Sequence, residues 1–157
     1  MDIIPFTKAG FEELQKELEH LKRVDRPKII EQIAEARAHG DLKENMEYHS
    51  AREKQQFIEA RIRDLDDKLS RGQVIDFSDE KPNIVKFGAW VKVSDEESGE
   101  EKKYCIVGDP ESKIEDNKIS LSSPIARALL GKKVDDLVYV DSPSGGKEYV
   151  ILEISYH

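Results

Sequence analysis

The sequence predicts an α+β protein in two parts: an N-terminal antiparallel coiled-coil helical hairpin over residues 1–75 and a small antiparallel-sheet domain with one short helix over 76–157. Three observations predict it. The positions Ala51, Gln55, Ile58, Ile62, Leu65 and Leu69 follow the alternating four-and-three spacing of a coiled-coil seam. Phe11, Leu14, Leu18 and Leu21 form a matching stripe earlier in the chain. Beyond residue 75 the pattern changes to short apolar or alternating runs bounded by turn residues, as strands require.

In the first arm Thr7 stands where it can cap a helix. Pro27 then interrupts the phase, since proline removes a helical hydrogen bond, and Ile30, Ile33 and Ala34 are expected to resume the apolar face. One bent helix from about Lys8 to Ala38 and two stacked helices fit equally. Antiparallel pairing of Phe11 with Leu69, Leu14 with Leu65, Leu18 with Ile62 and Leu21 with Ile58 makes each pair of position numbers add to 79 or 80, so the reversal falls near Gly40. With about 30 residues per arm at about 1.5 Å each, the tip lies roughly 45 Å from the base. Gly72 is a natural stop for the second arm.

In the second part, Ile84 to Val93 reads as a strand, Asp95 to Glu101 as a solvated acidic hairpin loop, and Lys103 to Val107 as the return. Another strand runs from about Lys118 to Leu121. Ser123 at the N-cap and Pro124 in the first turn open a short helix over Ile125 to Leu130 that Gly131 closes. Leu137 to Val140 and Glu148 to Ile154 form a last hairpin. A short linker near Phe77 to Lys81 would permit rotation between the parts.

Composition excludes several classes. Charged residues make up 37% of the chain, against roughly 25% in ordinary globular proteins. The net charge of −8 argues against a protein that grips naked nucleic acid through its own field. Residues 1–75 hold 14 Lys/Arg and 16 Asp/Glu, and the remainder hold 11 and 17. No apolar run approaches the roughly 20 residues of a membrane span, and no secretory signal is visible, so a cytoplasmic setting is expected. Cys105 is the only cysteine, which excludes an internal disulfide and a cysteine zinc site. It sits in a strand and reads as inert packing; Trp90 reads as core or partly buried surface.

The chemistry concentrates at the tip. Extending the second-arm repeat backwards from Ala51 through Tyr48 lands on Glu44 and Asp41, which places two carboxylates on one stripe. One reading is a capping box, with Asp41 capping the helix and Glu44 reaching back. The other is a pair of oxygen donors that share Mg²⁺ with a partner's active site, because Mg²⁺ is often held by one or two carboxylates with water and phosphate completing the octahedron. The two readings are compatible. Arg37 and Arg52 flank the acids and have the charge to meet a phosphate, although surface arginines on helices are also ordinary solvated or paired charges; Lys43 and Lys54 are read the same way. His39 and His49 lack partners at metal-ligand spacing, and Tyr48 and Met46 read as packing. In the second part Ser123 lacks a nucleophile context and reads as a helix cap.

The run Gly40-Asp41-Leu42-Lys43-Glu44-Asn45 followed by Glu47-Tyr48-His49, the lead-in Ile33 to Arg37, and the segment Ser123 to Lys132 closely resemble the bacterial Gre transcript cleavage factor family, GreA type, over essentially the whole chain. Met46 stands where that family usually has a small residue. The resemblance implies an FKBP-like C-terminal domain that binds RNA polymerase, with the Ser122, Ser123, Pro124 and Ile125 region at the contact, and a coiled coil inserted into the polymerase secondary channel. It implies that Asp41 and Glu44 act in trans, helping to hold a shared Mg²⁺ and position a water, while Arg37 and Arg52 lie near the RNA 3′ end. The polymerase then cleaves backtracked RNA, so the factor, expected to be a monomer, is not itself an enzyme and has no cofactor of its own. GreB-type relatives carry a larger basic patch and the anti-cleavage paralogue a more acidic tip, so both fit less well. A channel-binding regulator without cleavage activity and a proline isomerase remain the alternatives, the latter on fold analogy alone.

Overall fold

The computed structural model describes residues 2–40, 45–77, 83–141 and 143–156. They form two compact units, one spanning Phe11–Gly72 and the other joining Asp2–Gly10 to the residues from Gln73 onward. The first residues of the chain, placed with the hairpin in the division at residue 75, thus pack with the second unit. Residues 78–82, which include most of the expected linker, lie outside the described residues.

The first unit is the helical hairpin. Helix α1 spans Lys8–His20, a π-helical turn covers Leu21–Asp25, and α2 spans Arg26–Ala38. His20 and Arg26 both keep right-handed helical dihedrals, so the first arm is one continuous helix through the turn. The Arg26 N–H bonds Leu21 O, five residues back, and Pro27 stands in the first turn of α2, where its missing N–H is tolerated. Thr7 caps α1: its Oγ1 accepts the Gly10 N–H at 3.1 Å.

The π turn corrects the expected register. Each π turn adds one residue to the helical repeat, so the seam beyond Pro27 runs through Ile29, Ile33 and Ala36, all buried. Ile30 is 52% exposed and Ala34 lies outside the core. Ile29 and Ile33 pack with Ala51, Ile58 and Ile62 of α3 (Met46–Ser70), and Leu18, Leu21 and Tyr48 close over them. Cross-hairpin ion pairs flank this seam, among them Arg61 with Glu17 at 2.6 Å and Arg26 with Glu59 at 2.7 Å.

The second unit holds two sheets. A small one pairs β1 (Ile4–Phe6) with β2 (Gly72–Val74), neither of which the sequence reading anticipated. The larger has the strand order β5-β4-β3-β7-β6, formed by β3 (Trp90–Asp95), β4 (Glu101–Val107), β5 (Lys118–Ser120), β6 (Leu137–Val140) and β7 (Lys147–Ser155). One face packs Val91, Val93, Ile106, Val138 and Ile151 with Ala126 and Leu129 of the short helix α4 (Pro124–Leu129).

Two expectations change here. Of the strand expected over Ile84–Val93, only the part from Trp90 is strand. Val85 instead exchanges backbone hydrogen bonds with Gly131 and Lys132, and a turn at Gly88, with φ of +89°, redirects the chain before Trp90. The sheet is also not wholly antiparallel: β4 and β5 run parallel, linked by short helical turns at Asp109–Glu111 and Ile114–Asp116 and by left-handed Asn117. These turns bring β5 alongside the last three residues of β4, Cys105–Val107, without a long crossover helix.

Candidate functional site at the hairpin tip

Asn45 closes the tip. Its backbone is extended, its side-chain Oδ1 accepts the Tyr48 N–H at 3.0 Å, and its Nδ2 donates to Ala36 O at 2.6 Å. Asn45 therefore holds the N-cap of α3 that the sequence reading assigned to Asp41, and it ties that cap to the last turn of α2. Asparagine suits the role because it supplies an acceptor for the helix start and a donor for the carbonyl across the hairpin. On the other side α2 ends at Ala38, and Gly40 takes a φ of +119°, a region that favours glycine.

Between Gly40 and Asn45 the sequence places Asp41, Leu42, Lys43 and Glu44, which lie outside the described residues. Helix α3 begins at Met46, and the stripe expected to carry Asp41 and Glu44 lies outside the described residues. Their chemistry is still that of two adjacent hard oxygen donors, which fits Mg²⁺ and supplies only part of its six-ligand shell. Among the described residues no group of three or more His, Cys, Asp or Glu is placed to hold a metal ion.

Arg37 and Arg52 come together on Tyr48. Their guanidinium carbons lie 5.7 Å and 5.9 Å from the centre of its ring. Arg52 Nη1 donates to the phenol oxygen at 3.2 Å. Arg37 most strongly, and then Arg52, hold the Tyr48 phenol below the usual tyrosine range, because cations beside it favour the phenolate. The His49 ring meets Tyr48 edge-on at 5.5 Å. On the opposite flank His39 and Glu47 approach to 3.3 Å. Lys54 is exposed, and Met46, expected to pack, is 80% exposed. Tyr48 does pack against the seam, as its spacing suggested, but its role as the hub between two arginines was missed. The available signal was the Tyr48-to-Arg52 spacing of one helical turn.

The second predicted region sits at the start of α4. Ser123 Oγ accepts the Ala126 N–H at 3.3 Å, as a cap should. Ser122 and Pro124 are exposed, and Ile125 is half-buried against the sheet core. The Ser122 hydroxyl lies 2.9 Å from that of Ser120, which donates to Asp109 at 2.7 Å. The first turn of α4 therefore presents a small polar and apolar ridge on a hydrogen-bonded base. Elsewhere Cys105 is buried and burial pushes its thiol up to about 12, consistent with inert packing. No described helix is long and apolar enough to cross a membrane.

Residues 4–74 match the family model for the transcription elongation factor N-terminal domain, and residues 80–156 the GreA/GreB C-terminal one. Transcription elongation factor GreA of Sinorhizobium medicae is 51% identical over 156 residues, covering 99% of each chain. That of Caulobacter vibrioides is 49% identical with the same coverage. The solved GreA factor homolog 1 of Thermus thermophilus is 29% identical, covers 99% of each chain and superposes with a TM-score of 0.45. With both halves of the chain matched and half of its residues shared with curated GreA proteins, the protein belongs to the GreA/GreB family of transcription elongation factors.

Proposed function

We propose that this elongation factor binds RNA polymerase, inserts its hairpin into the secondary channel, and stimulates the polymerase's own Mg²⁺-dependent cleavage of backtracked RNA 3′ ends, thereby rescuing arrested complexes. It acts as a monomer and an accessory factor, not as an enzyme with its own active site. The observation that carries this reading is the Asn45 closure: a cap bonded across the hairpin joins the end of α2 to the start of α3, and the four residues between Gly40 and Asn45 in sequence include two carboxylates.

Each part of the chain has a task in that reading. The helices carry the tip, and Asn45 fixes where it begins and ends. Asp41 and Glu44 supply carboxylate oxygens and orient a water through hydrogen bonds. These two residues would hold Mg²⁺, which when bound would supply Lewis-acid activation of the water and charge neutralisation at the phosphate. Arg37 and Arg52 bind the RNA phosphates and favour the added negative charge of the transition state. The ridge of Ser122, Ser123, Pro124 and Ile125 docks on the polymerase.

The test is RNA cleavage in a defined backtracked complex, comparing the native factor with Asp41→Asn and Glu44→Gln. Both variants stay uncharged hydrogen-bonding groups of similar shape. Loss of stimulation with polymerase binding and helicity retained supports the reading. Equal stimulation by all three proteins overturns the role given to the acids, and no stimulation by the native factor leaves a channel-binding regulator as the better description.

A further inference from the structure

We propose that Tyr48 is a positioning residue that gathers Arg37 and Arg52, from the two arms of the hairpin, into one paired-guanidinium receptor for phosphate. This rests on the reading that the tip meets an RNA 3′ segment.

Arg37 belongs to the last turn of α2 and Arg52 to the second turn of α3, so no local rule brings them together. Two like charges repel, and both side chains are exposed. The Tyr48 ring offsets that repulsion, since its face carries the negative end of the aromatic quadrupole and its hydroxyl oxygen accepts from Arg52. Of the other hairpin arginines, Arg23, Arg26, Arg61 and Arg71 each pair with a carboxylate. Among the described residues Arg37 and Arg52 make no such pair, and their shared partner is neutral.

Tyr48 is itself held firmly. Its N–H is bound by Asn45, and its half-buried ring packs on the cluster of Ile29, Ile33 and Ala51. A support fixed by backbone and packing lowers the cost of ordering two long side chains when an anion arrives. Arg37 and Arg52 also border an open groove of about 410 Å³ with Ile30, Ile33, Ala34 and Gln55. Guanidinium groups beside an apolar floor suit a phosphate with a nucleoside attached.

The experiment follows the Arg37 and Arg52 side-chain Nε–Hε signals by NMR while the full-length protein is titrated with inorganic pyrophosphate, without polymerase. Arg37→Lys and Arg52→Lys assign the signals. In the native protein both should move along one binding curve. Tyr48→Leu, which keeps an apolar side chain for the seam, should weaken that binding about tenfold, equivalent to about 1.4 kcal/mol. Tyr48→Phe should restore most of it, because the ring remains. Unchanged binding in Tyr48→Leu, with helicity confirmed by circular dichroism, overturns the proposal; so do two independent curves in the native protein. Because no polymerase is present, failure here is distinguishable from failure of the cleavage assay.

Discussion

Glu111 accepts hydrogen bonds from both the backbone N–H and the hydroxyl of Thr7, a residue 104 positions earlier in the chain. The same carboxylate takes the Gly108 N–H at 2.9 Å. Thr7 is 5% exposed and simultaneously caps α1 through Gly10. This contact explains why residues 2–10 belong to the second unit: a carboxylate with several donors converging on it compensates its lost hydration only while those donors stay in place.

A side chain at Gly108 should break the arrangement. A Cβ there would collide with the backbone carbonyl of Pro5 and with Glu111, and the Pro5 carbonyl cannot rotate aside. Gly108→Ala is expected to destabilise the second unit by about 1–3 kcal/mol. Glu111→Gln should cost a similar amount by turning an amide N–H toward donors. Urea unfolding followed by the fluorescence of Trp90, the single tryptophan, reads both. Unchanged midpoints would remove Glu111 as the anchor.

Neighbouring isoleucines should behave differently because of the π turn. Ile29 is 1% exposed and Ile30 52%. Ile29→Ala is expected to cost about 2–5 kcal/mol through lost burial and a cavity, and Ile30→Ala within about 0.5 kcal/mol. Circular dichroism at 222 nm during urea unfolding separates them. Equal losses would mean that the seam does not shift register at the turn.

The Arg26–Glu59 pair should give the hairpin an acid-sensitive component. Arg26 Nε and Nη2 bind the two Glu59 oxygens at 2.7 Å and 2.8 Å. That hydrogen bonding holds the Glu59 carboxyl below the usual glutamate range. A carboxyl with a folded pKa below its unfolded value adds stability above the unfolded pKa and loses it as pH falls through the folded one. The difference in melting temperature between the native protein and Glu59→Gln should therefore be present at neutral pH and vanish on acidification below the glutamate range. A difference that stays constant with pH would exclude this origin.

Much of this molecule follows from interactions within one turn of helix or one hairpin. The seam of α3 reads directly from its spacing because a narrow apolar stripe has no other way to leave water. Ser123 and Pro124 announce α4 because cap and first-turn geometry are local. The last hairpin, β6 to β7, is legible for the same reason. The polar tip, with its acids and flanking arginines, is likewise visible as a motif.

What the sequence alone determined is therefore the division into a helical hairpin and an α+β sheet domain, most element positions, and the residue types at the tip. Tertiary structure decided the rest. The π turn chose Ile29 over Ile30, since periodicity cannot reveal a one-residue insertion at a proline. Asn45 holds the cap of α3 and bonds Ala36 across the hairpin. Tyr48 became a shared support because α2 and α3 bring Arg37 and Arg52 to the same ring. Strand β5 joined in parallel, and Thr7 found Glu111. Each of these depends on groups distant in sequence meeting in space, and their energies exist only once the chain has folded around them.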